Sequence, residues 1–234
     1  MPGPVALVGA GEFLPVMSEI DRQLLAACAA PRPRVAILPT ASYPDGEVVF
    51  HRWAAMGEDH FRGLGAEVEA VLVRDAVDAQ DPGFAQAVGE ADLIYLSGGK
   101  PDHLLRALAG SAVWRAARAA HARGAILAGC SAGAMVLAGR QVRFRRRLPL
   151  PVRWDEALHV APGLAVFPHY DRMPEVIVAF IALQAPRGTL VVGIDEETAL
   201  VGQDGVWQVH GRGRVTLWHG RRRERLRSGE VLRL

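Results

Sequence analysis

Lysine is almost absent from this chain of 234 residues, in which Lys100 is the only lysine among 27 basic residues. The 25 acidic residues leave a formal net charge of +2. Arginines cluster at residues 143–147 and 221–227. Such runs are typical of solvated loops or edge strands, and a chain with so little net charge has no strong electrostatic footprint for nucleic acid. We therefore expect no nucleic-acid partner.

Cysteine is also scarce. The two thiols, Cys28 and Cys130, fall on different predicted elements. Their number and spacing fit neither a disulfide framework nor a metal-binding knuckle. We expect both cysteines to be reduced, and we predict no metal ion and no cofactor.

Long hydrophobic runs are missing as well. No apolar run reaches the roughly 18 residues that a membrane-spanning helix requires, and the N-terminus lacks the basic start and cleavage site of a secretory signal. Half of the residues are hydrophobic, which is enough for a sizeable core. We expect one cytoplasmic domain over residues 1–234, with no membrane partner, and leave open whether it forms a homodimer.

Short apolar runs alternate with helical patterns along most of the chain. This rhythm predicts an α/β fold, a doubly wound and mostly parallel sheet flanked by helices, with functional loops at its carboxyl edge. Residues 198–234 change to short alternating strands with glycine turns, which predicts a C-terminal β-meander. The predicted strands begin near Val5, Arg34, Glu67, Ala91, Gly124, Leu164 and Leu190, and the predicted helices near Met17, Val48, Pro101, Ser111, Ala134 and Pro174.

A Gly-x-Ser-x-Gly motif spans residues 129–133, between a predicted strand and a predicted helix. Such a turn accepts only small residues around the serine and exposes its hydroxyl at the carboxyl end of a sheet. Helix N–H groups, starting with that of Ala132, can then stabilise charge on a bound carbonyl oxygen. We predict Ser131 as a nucleophile. Cys130 is its rival, but the glycines are spaced around residue 131, so residue 130 should point into the fold.

A serine nucleophile needs a base, and the base needs an orienting acid. Among eight histidines, His169 follows a strand after the elbow, in the Ser…His order of many α/β hydrolases. We expect it at the same edge of the same sheet, within hydrogen-bond reach of the serine. Asp155 and Glu156 lie between the two and are the acids that we favour. Asp171 is very close to the histidine in sequence, and acids 195–197 end the next strand.

Other residues near the predicted pocket suggest how a ligand could be held. Gly98 and the glycine after it follow a buried strand, so their backbone N–H groups can face a ligand. Lys100 and Arg172 predict a positive field that favours a substrate carboxylate, with the arginine run at 143–147 as a further contributor. Glu12 is expected at the same edge, with its side chain directed into the pocket.

Four motifs, taken together, resemble the serine peptidase family of dipeptidase E and cyanophycinase. That family has a fold similar to the class I glutamine amidotransferases. The resemblance implies Ser131 as nucleophile, His169 as base, and an oxyanion hole from the N–H groups of Gly99 and Ala132. The motifs occur in the family's order over most of the chain, at 96–100, 129–134, 161–164 with 168–169, and 193–200.

The leading hypothesis is a serine peptidase that hydrolyses small peptides through a Ser-His-acid triad. Pro168 before His169 is closer to dipeptidase E, which acts on dipeptides with N-terminal aspartate, than to cyanophycinase. A cyanophycinase-like isopeptidase is one alternative. The other is a non-catalytic ligand-binding or regulatory protein that has kept the amidotransferase-like pocket.

Overall fold

The structure is a computed structural model that describes residues 1–143 and 151–234. The arginines at 145–147 therefore lie outside the described residues. The strands are β1 Val5–Val8, β2 Arg34–Leu38, β3 Glu67–Ala70, β4 Leu93–Leu96, β5 Ile126–Cys130, β6 Arg140–Val142, β7 Trp154–Glu156, β8 Leu164–Phe167, β9 Leu190–Ile194, β10 Thr198–Gln203, β11 Val206–Gly211, β12 Arg214–His219, β13 Arg222–Arg227 and β14 Val231–Arg233. The helices are α1 Ser18–Ala27, α2 Glu47–Gly63, α3 Pro82–Gly89, α4 Pro101–Leu108, α5 Ala112–Ala122, α6 Ala132–Leu137 and α7 Glu175–Ala182.

The larger sheet has eight strands in the order β14-β11-β10-β1-β5-β4-β2-β3. Its five strands from β1 to β3 in that order are parallel. Strands β10 and β11 extend it antiparallel beyond β1. All four residues of β1 and of β4 are buried, as expected for parallel strands covered on both faces. The predicted α/β fold class is confirmed.

A second sheet contains four strands in the order β13-β12-β9-β8. The prediction of one sheet for all strands that end at the pocket was wrong, because β8 pairs with β9, and β9 pairs with β12 on its other side. The physical reason is that β10 already occupies the edge of the larger sheet beside β1. Strands β8 and β9 therefore belong to a separate sheet, with β12 and β13.

The predicted C-terminal β-strands are present, but they do not form one simple meander. Hairpin β10–β11 belongs to the larger sheet and hairpin β12–β13 to the smaller one, and β14 returns to pair with β11. The first hairpin turns at Asp204 and Gly205, with φ of 51° and 80°. Two positive φ values in a two-residue loop are those of a type I′ turn, which matches the twist of the strands.

The core has three parts that follow from these layers. Helices α1 and α2 cover one face of the larger sheet, where Met17, Leu24 and Phe61 are buried. Helices α3 to α6 pack on its other face. Helix α7 covers the outer face of the smaller sheet through Val178 and Ile181. In the part of the chain that the structure describes, no helix has the length and apolar character needed to cross a membrane.

The tight approach of α6 to β4 gives a stability prediction. A Cβ atom on Gly133 would lie 2.2 Å from the carbonyl oxygen of Leu96. Gly133→Ala should therefore lower the free energy of unfolding by about 1–3 kcal/mol, as overpacked cores do. Gly63→Ala is the matched control, since nothing lies within 4 Å of its added Cβ. Urea unfolding measures both, and equal stability of the two variants would contradict this packing.

Candidate active site

The serine lies on a strained turn between β5 and α6. Ser131 has φ 50° and ψ −108°, which a non-glycine residue rarely adopts. Its N–H donates to Val8 O at 3.0 Å, and its carbonyl accepts from Met135 N at 3.1 Å. A Cβ atom on Gly129 would lie 2.5 Å from the backbone of Gly133. The motif therefore needs its glycines for backbone packing, and the turn has the geometry of a nucleophile elbow.

The histidine reaches this serine from the other sheet. His169 lies two residues beyond β8, in the left-handed conformation with φ 48°. Its Nε2 is 3.0 Å from Ser131 Oγ, a distance at which the ring can take up the hydroxyl proton. Its side chain is 44% exposed, so a substrate can reach the pair from solvent.

A carboxylate binds the imidazole ring of His169 on the side away from Ser131. Glu196 Oε1 lies 2.9 Å from His169 Nδ1, and Oε2 lies 2.9 Å from Arg172 Nη2. The backbone N–H of Glu196 donates to Asp171 Oδ1 at 2.8 Å. The hydrogen bond with His169, followed by that with Arg172, lowers the pKa of the Glu196 carboxyl. The carboxylate is therefore ionised at neutral pH.

The predicted acids lie elsewhere. Asp155 and Glu156 are on β7, which pairs antiparallel with β6. Asp155 Oδ2 accepts from Arg143 Nε at 2.7 Å, and Glu156 Oε1 lies 2.6 Å from Arg140 Nη2. The prediction that either acid meets His169 was wrong, because the cross-strand arginines of this hairpin hold both.

The contact between His169 and Glu196 has a counterpart in the order of the strands. Strands β8 and β9 are parallel, with Phe167 opposite Gly193. His169 lies two residues after the end of β8, and Glu196 lies two residues after the end of β9. Equivalent positions after neighbouring parallel strands meet at one edge of a sheet, so the strand ends identify the pair once β8 and β9 are known to be neighbours.

Backbone N–H groups lie beside the serine. A Cβ atom on Gly98 would be 3.3 Å from Ser131 Cβ, so this loop passes directly over the nucleophile. Ala132 is the first residue of α6, and Gly99 has φ 141°. Within residues 1–143 and 151–234, neither Gly99 N–H nor Ala132 N–H has a hydrogen-bond partner. Both can therefore donate to an oxygen that develops negative charge.

The two cations predicted near the pocket each have an acidic partner. Lys100 Nζ is 3.2 Å from Asp45 Oδ1, with 57% of the lysine side chain exposed. Arg172 is paired with Glu196 and is 70% exposed. Both lie on the expected side of the site, but the positive field is smaller than the sequence alone predicts.

Glu12 is directed inward rather than at a ligand. Its side chain is buried, with 6% exposure, and both oxygens have internal partners. Oε1 accepts from Gly98 N at 2.7 Å, and Oε2 accepts from Cys130 Sγ at 2.8 Å. The predicted direct contact of Glu12 with substrate has no support in this geometry.

The rival thiol is unsuited to attack. Cys130 is fully buried, and burial together with the neighbouring Glu12 raises its pKa well above the usual range. A thiol with so high a pKa stays neutral at physiological pH, and the neutral form is a poor nucleophile.

The arrangement is that of a serine hydrolase, since an exposed serine on an elbow adjoins an imidazole held by an ionised carboxylate. A family model for peptidase family S51 matches residues 5–209. The chain therefore belongs to peptidase family S51. The resemblance drawn from the four motifs is confirmed.

Relatives and solved structures agree with this assignment. Cyanophycinases of Synechococcus elongatus and Thermosynechococcus vestitus are each 31% identical over 196 residues, covering 78% of this chain. That match spans 58% of each relative, so the chain extends over less than two thirds of their length. The cyanophycinase of Geminocystis herdmanii is 28% identical, with 84% of this chain and 73% of the relative covered.

Structural similarity extends over the whole chain. The crystal structure of a peptidase from an acI-B1 Actinobacterium superposes with a TM-score of 0.90 and 31% identity, covering 100% of this chain and 98% of that one. A putative peptidase E protein from Listeria monocytogenes has a TM-score of 0.63 at 16% identity, covering 91% of this chain and all of that one. At 16% identity, the similarity to the Listeria protein shows a shared fold alone.

The geometry of the elbow gives a test of the nucleophile. Ser131→Ala should abolish hydrolysis, lowering kcat by about 10⁴-fold or more, because loss of a triad nucleophile is that costly. Cys130→Ser should keep most of the activity, since the buried thiol takes no part in the attack. The check is steady-state kinetics on both folded variants. A Cys130→Ser variant as inactive as Ser131→Ala would reassign the nucleophile.

The second test concerns the acid. Glu196→Gln keeps the shape of the side chain but presents no ionised acceptor to Nδ1–H, so kcat should fall by about 10²–10⁴-fold with KM little changed. Asp155→Asn is the matched control, because it changes a carboxylate that is paired with Arg143, and it should stay within about three-fold of wild type. If Asp155→Asn were the slower variant, Glu196 would not be the acid.

Proposed function

We propose that this protein hydrolyses short peptides through Ser131, His169 and Glu196. The observation that carries the proposal is the continuous line of hydrogen bonds, 3.0 Å from Ser131 Oγ to His169 Nε2 and 2.9 Å from His169 Nδ1 to Glu196 Oε1. Each group stands where a nucleophile, a base and an orienting acid are required.

In the proposed reaction, Ser131 Oγ attacks the carbonyl carbon of the scissile bond and its proton passes to His169 Nε2. The carbonyl oxygen becomes an oxyanion that accepts from the N–H groups of Gly99 and Ala132. When the intermediate collapses, the imidazolium gives its proton to the leaving amine. Water, deprotonated by His169, then hydrolyses the acyl-enzyme and restores the serine.

Glu196 has the role of holding the imidazole in one tautomer and stabilising the imidazolium. Its bond to Nδ1 leaves Nε2 free of hydrogen to face Ser131 before attack. Arg172 occupies the second carboxylate oxygen, so the carboxylate has little freedom to rotate away from the ring. Because the pKa of Glu196 is lowered, this support persists at acidity where an ordinary glutamate would begin to take up a proton.

The charges beside the site favour a substrate that carries a carboxylate. Lys100 and Asp45 form an exposed pair, and such pairs are worth about 0–1 kcal/mol. A substrate carboxylate can therefore replace Asp45 as the partner of Lys100 at small cost. Arg172 is less available because it already binds Glu196. We propose Lys100 as the principal contact for an acidic side chain or a peptide C-terminus.

Isopeptide hydrolysis is the second candidate. It is favoured by the three cyanophycinases that match 78–84% of this chain. Both candidates use the same nucleophile and oxyanion hole, and they differ only in whether the scissile amide belongs to a main chain or to an acidic side chain. A panel containing α-aspartyl and β-aspartyl dipeptides of the same composition separates them.

The substrate proposal predicts a charge preference in kcat/KM. Wild type should prefer acidic over basic dipeptides by about ten-fold or more. Lys100→Ala should lose most of that preference, and the loss should be larger at low than at high salt, where charge is screened. Arg106→Ala is the control, because Arg106 is an exposed cation in the last turn of α4. A wild type with no preference, or a preference that survives in Lys100→Ala, would contradict a role for Lys100.

A further inference from the structure

The buried carboxylate of Glu12 is the feature that the reaction itself does not use. It lies 86 residues from Gly98 and 118 from Cys130 in sequence, and it accepts one hydrogen bond from each. Both contacts are donations to the carboxylate. Glu12 therefore holds the loop that passes over the serine, through its hydrogen bond with Gly98 N–H.

This loop is held by a hydrogen bond on each side of the Gly98–Gly99 peptide. Gly98 N–H, in the peptide before it, donates to Glu12 at 2.7 Å. Lys100 N–H, in the peptide after it, donates to Ala41 O at 2.7 Å. Between these two anchors lies the Gly98–Gly99 peptide, whose N–H is one of the two proposed oxyanion donors.

The two glycines of the loop also pack tightly against Glu12 and Ala41, with no space for a side chain. A Cβ atom on Gly98 would lie 2.6 Å from Glu12 Oε1, and one on Gly99 would lie 2.3 Å from Ala41 O. Two consecutive glycines have wide conformational freedom. The direction of the Gly99 N–H is therefore set by these contacts rather than by the intrinsic preference of the chain.

We propose that Glu12 is a positioning residue, which aims the Gly99 N–H at the substrate oxyanion by binding the preceding peptide through Gly98 N–H. It touches no substrate and moves no proton. The inference rests on the proposed function, because it assigns Glu12 to the oxyanion hole of that reaction. This role requires a hydrogen-bond acceptor for Gly98 N–H at the position of Glu12 Oε1, and the side-chain oxygen of a glutamine can take that position.

The test compares two substitutions of nearly the same size. Glu12→Met fills the space but offers no acceptor to Gly98 N–H, whereas Glu12→Gln keeps one. We expect Glu12→Met to lower kcat by about 10–100-fold with KM within three-fold, since removing an oxyanion donor outright costs about 10²–10³-fold. Glu12→Gln should recover most of the rate. Cys130→Ala, which removes the other donor to Glu12, should stay within about three-fold of wild type.

The affinity for a transition-state analogue separates a loss of oxyanion-hole geometry from a general loss of structure. A peptidyl trifluoromethyl ketone forms a tetrahedral alkoxide on the serine, so its inhibition constant reports the oxyanion hole directly. Its affinity should fall in Glu12→Met by the same factor as kcat and return in Glu12→Gln. Glu12→Ala supplies a second truncation if the methionine variant proves unstable.

The outcomes are distinguishable. Active wild type with folded Glu12→Met or Glu12→Ala at wild-type kcat and inhibitor affinity would overturn the inference and leave the proposed function intact. Glu12→Gln as slow as Glu12→Met would also overturn it, because the charge and not the acceptor would then matter. A wild type that neither turns over peptides nor binds the ketone would overturn the proposed function, and this inference with it.

Discussion

The hydrogen bond between Ser131 and His169 joins the eight-stranded sheet to the four-stranded sheet, and the site depends on how those two sheets meet. Residues 195–197 cross from β9 of the smaller sheet to β10 of the larger one. At this crossing Gly9 N donates to Thr198 O at 2.9 Å, and Glu197 N donates to Ala10 O at 3.1 Å. A Cβ atom on Gly9 would lie 2.1 Å from Asp195 O. This close contact fixes the distance between the nucleophile on one sheet and the imidazole and carboxylate on the other.

Backbone strain is concentrated at the same place. Ser131, His169 and Glu197 all have positive φ without being glycine. Conformations of this kind cost roughly 1–3 kcal/mol each and persist only where surrounding contacts determine them. Here the contacts are the elbow packing, the short turn after β8 and the crossing between sheets. The strained backbone at Ser131, His169 and Glu197 allows the segments after β5, β8 and β9 to meet at one site.

Local signals were enough to predict much of this protein. Strands β2 and β9 begin at the predicted residues, Arg34 and Leu190, and the glycine spacing placed the serine at the apex of its turn. The acid could not be chosen in the same way, because its position depends on which strands pair. Once β10 takes the edge beside β1, strands β8 and β9 must form their own sheet, and Glu196 then lies beside His169. Asp155 and Glu156 looked suitable by sequence order, but the β6–β7 hairpin pairs them with arginines.

We expect Ser131 to be a nucleophile that His169 and Glu196 activate across the contact between the larger and the smaller sheet. The most direct measurement is the intact mass and peptide map of the protein after treatment with a fluorophosphonate, for wild type and for Glu196→Gln. We expect one phosphonyl group per wild-type chain, carried by Ser131, with Cys130 unmodified and much slower labelling of the Glu196 variant. An unlabelled wild type, or a label on any residue other than Ser131, would contradict it.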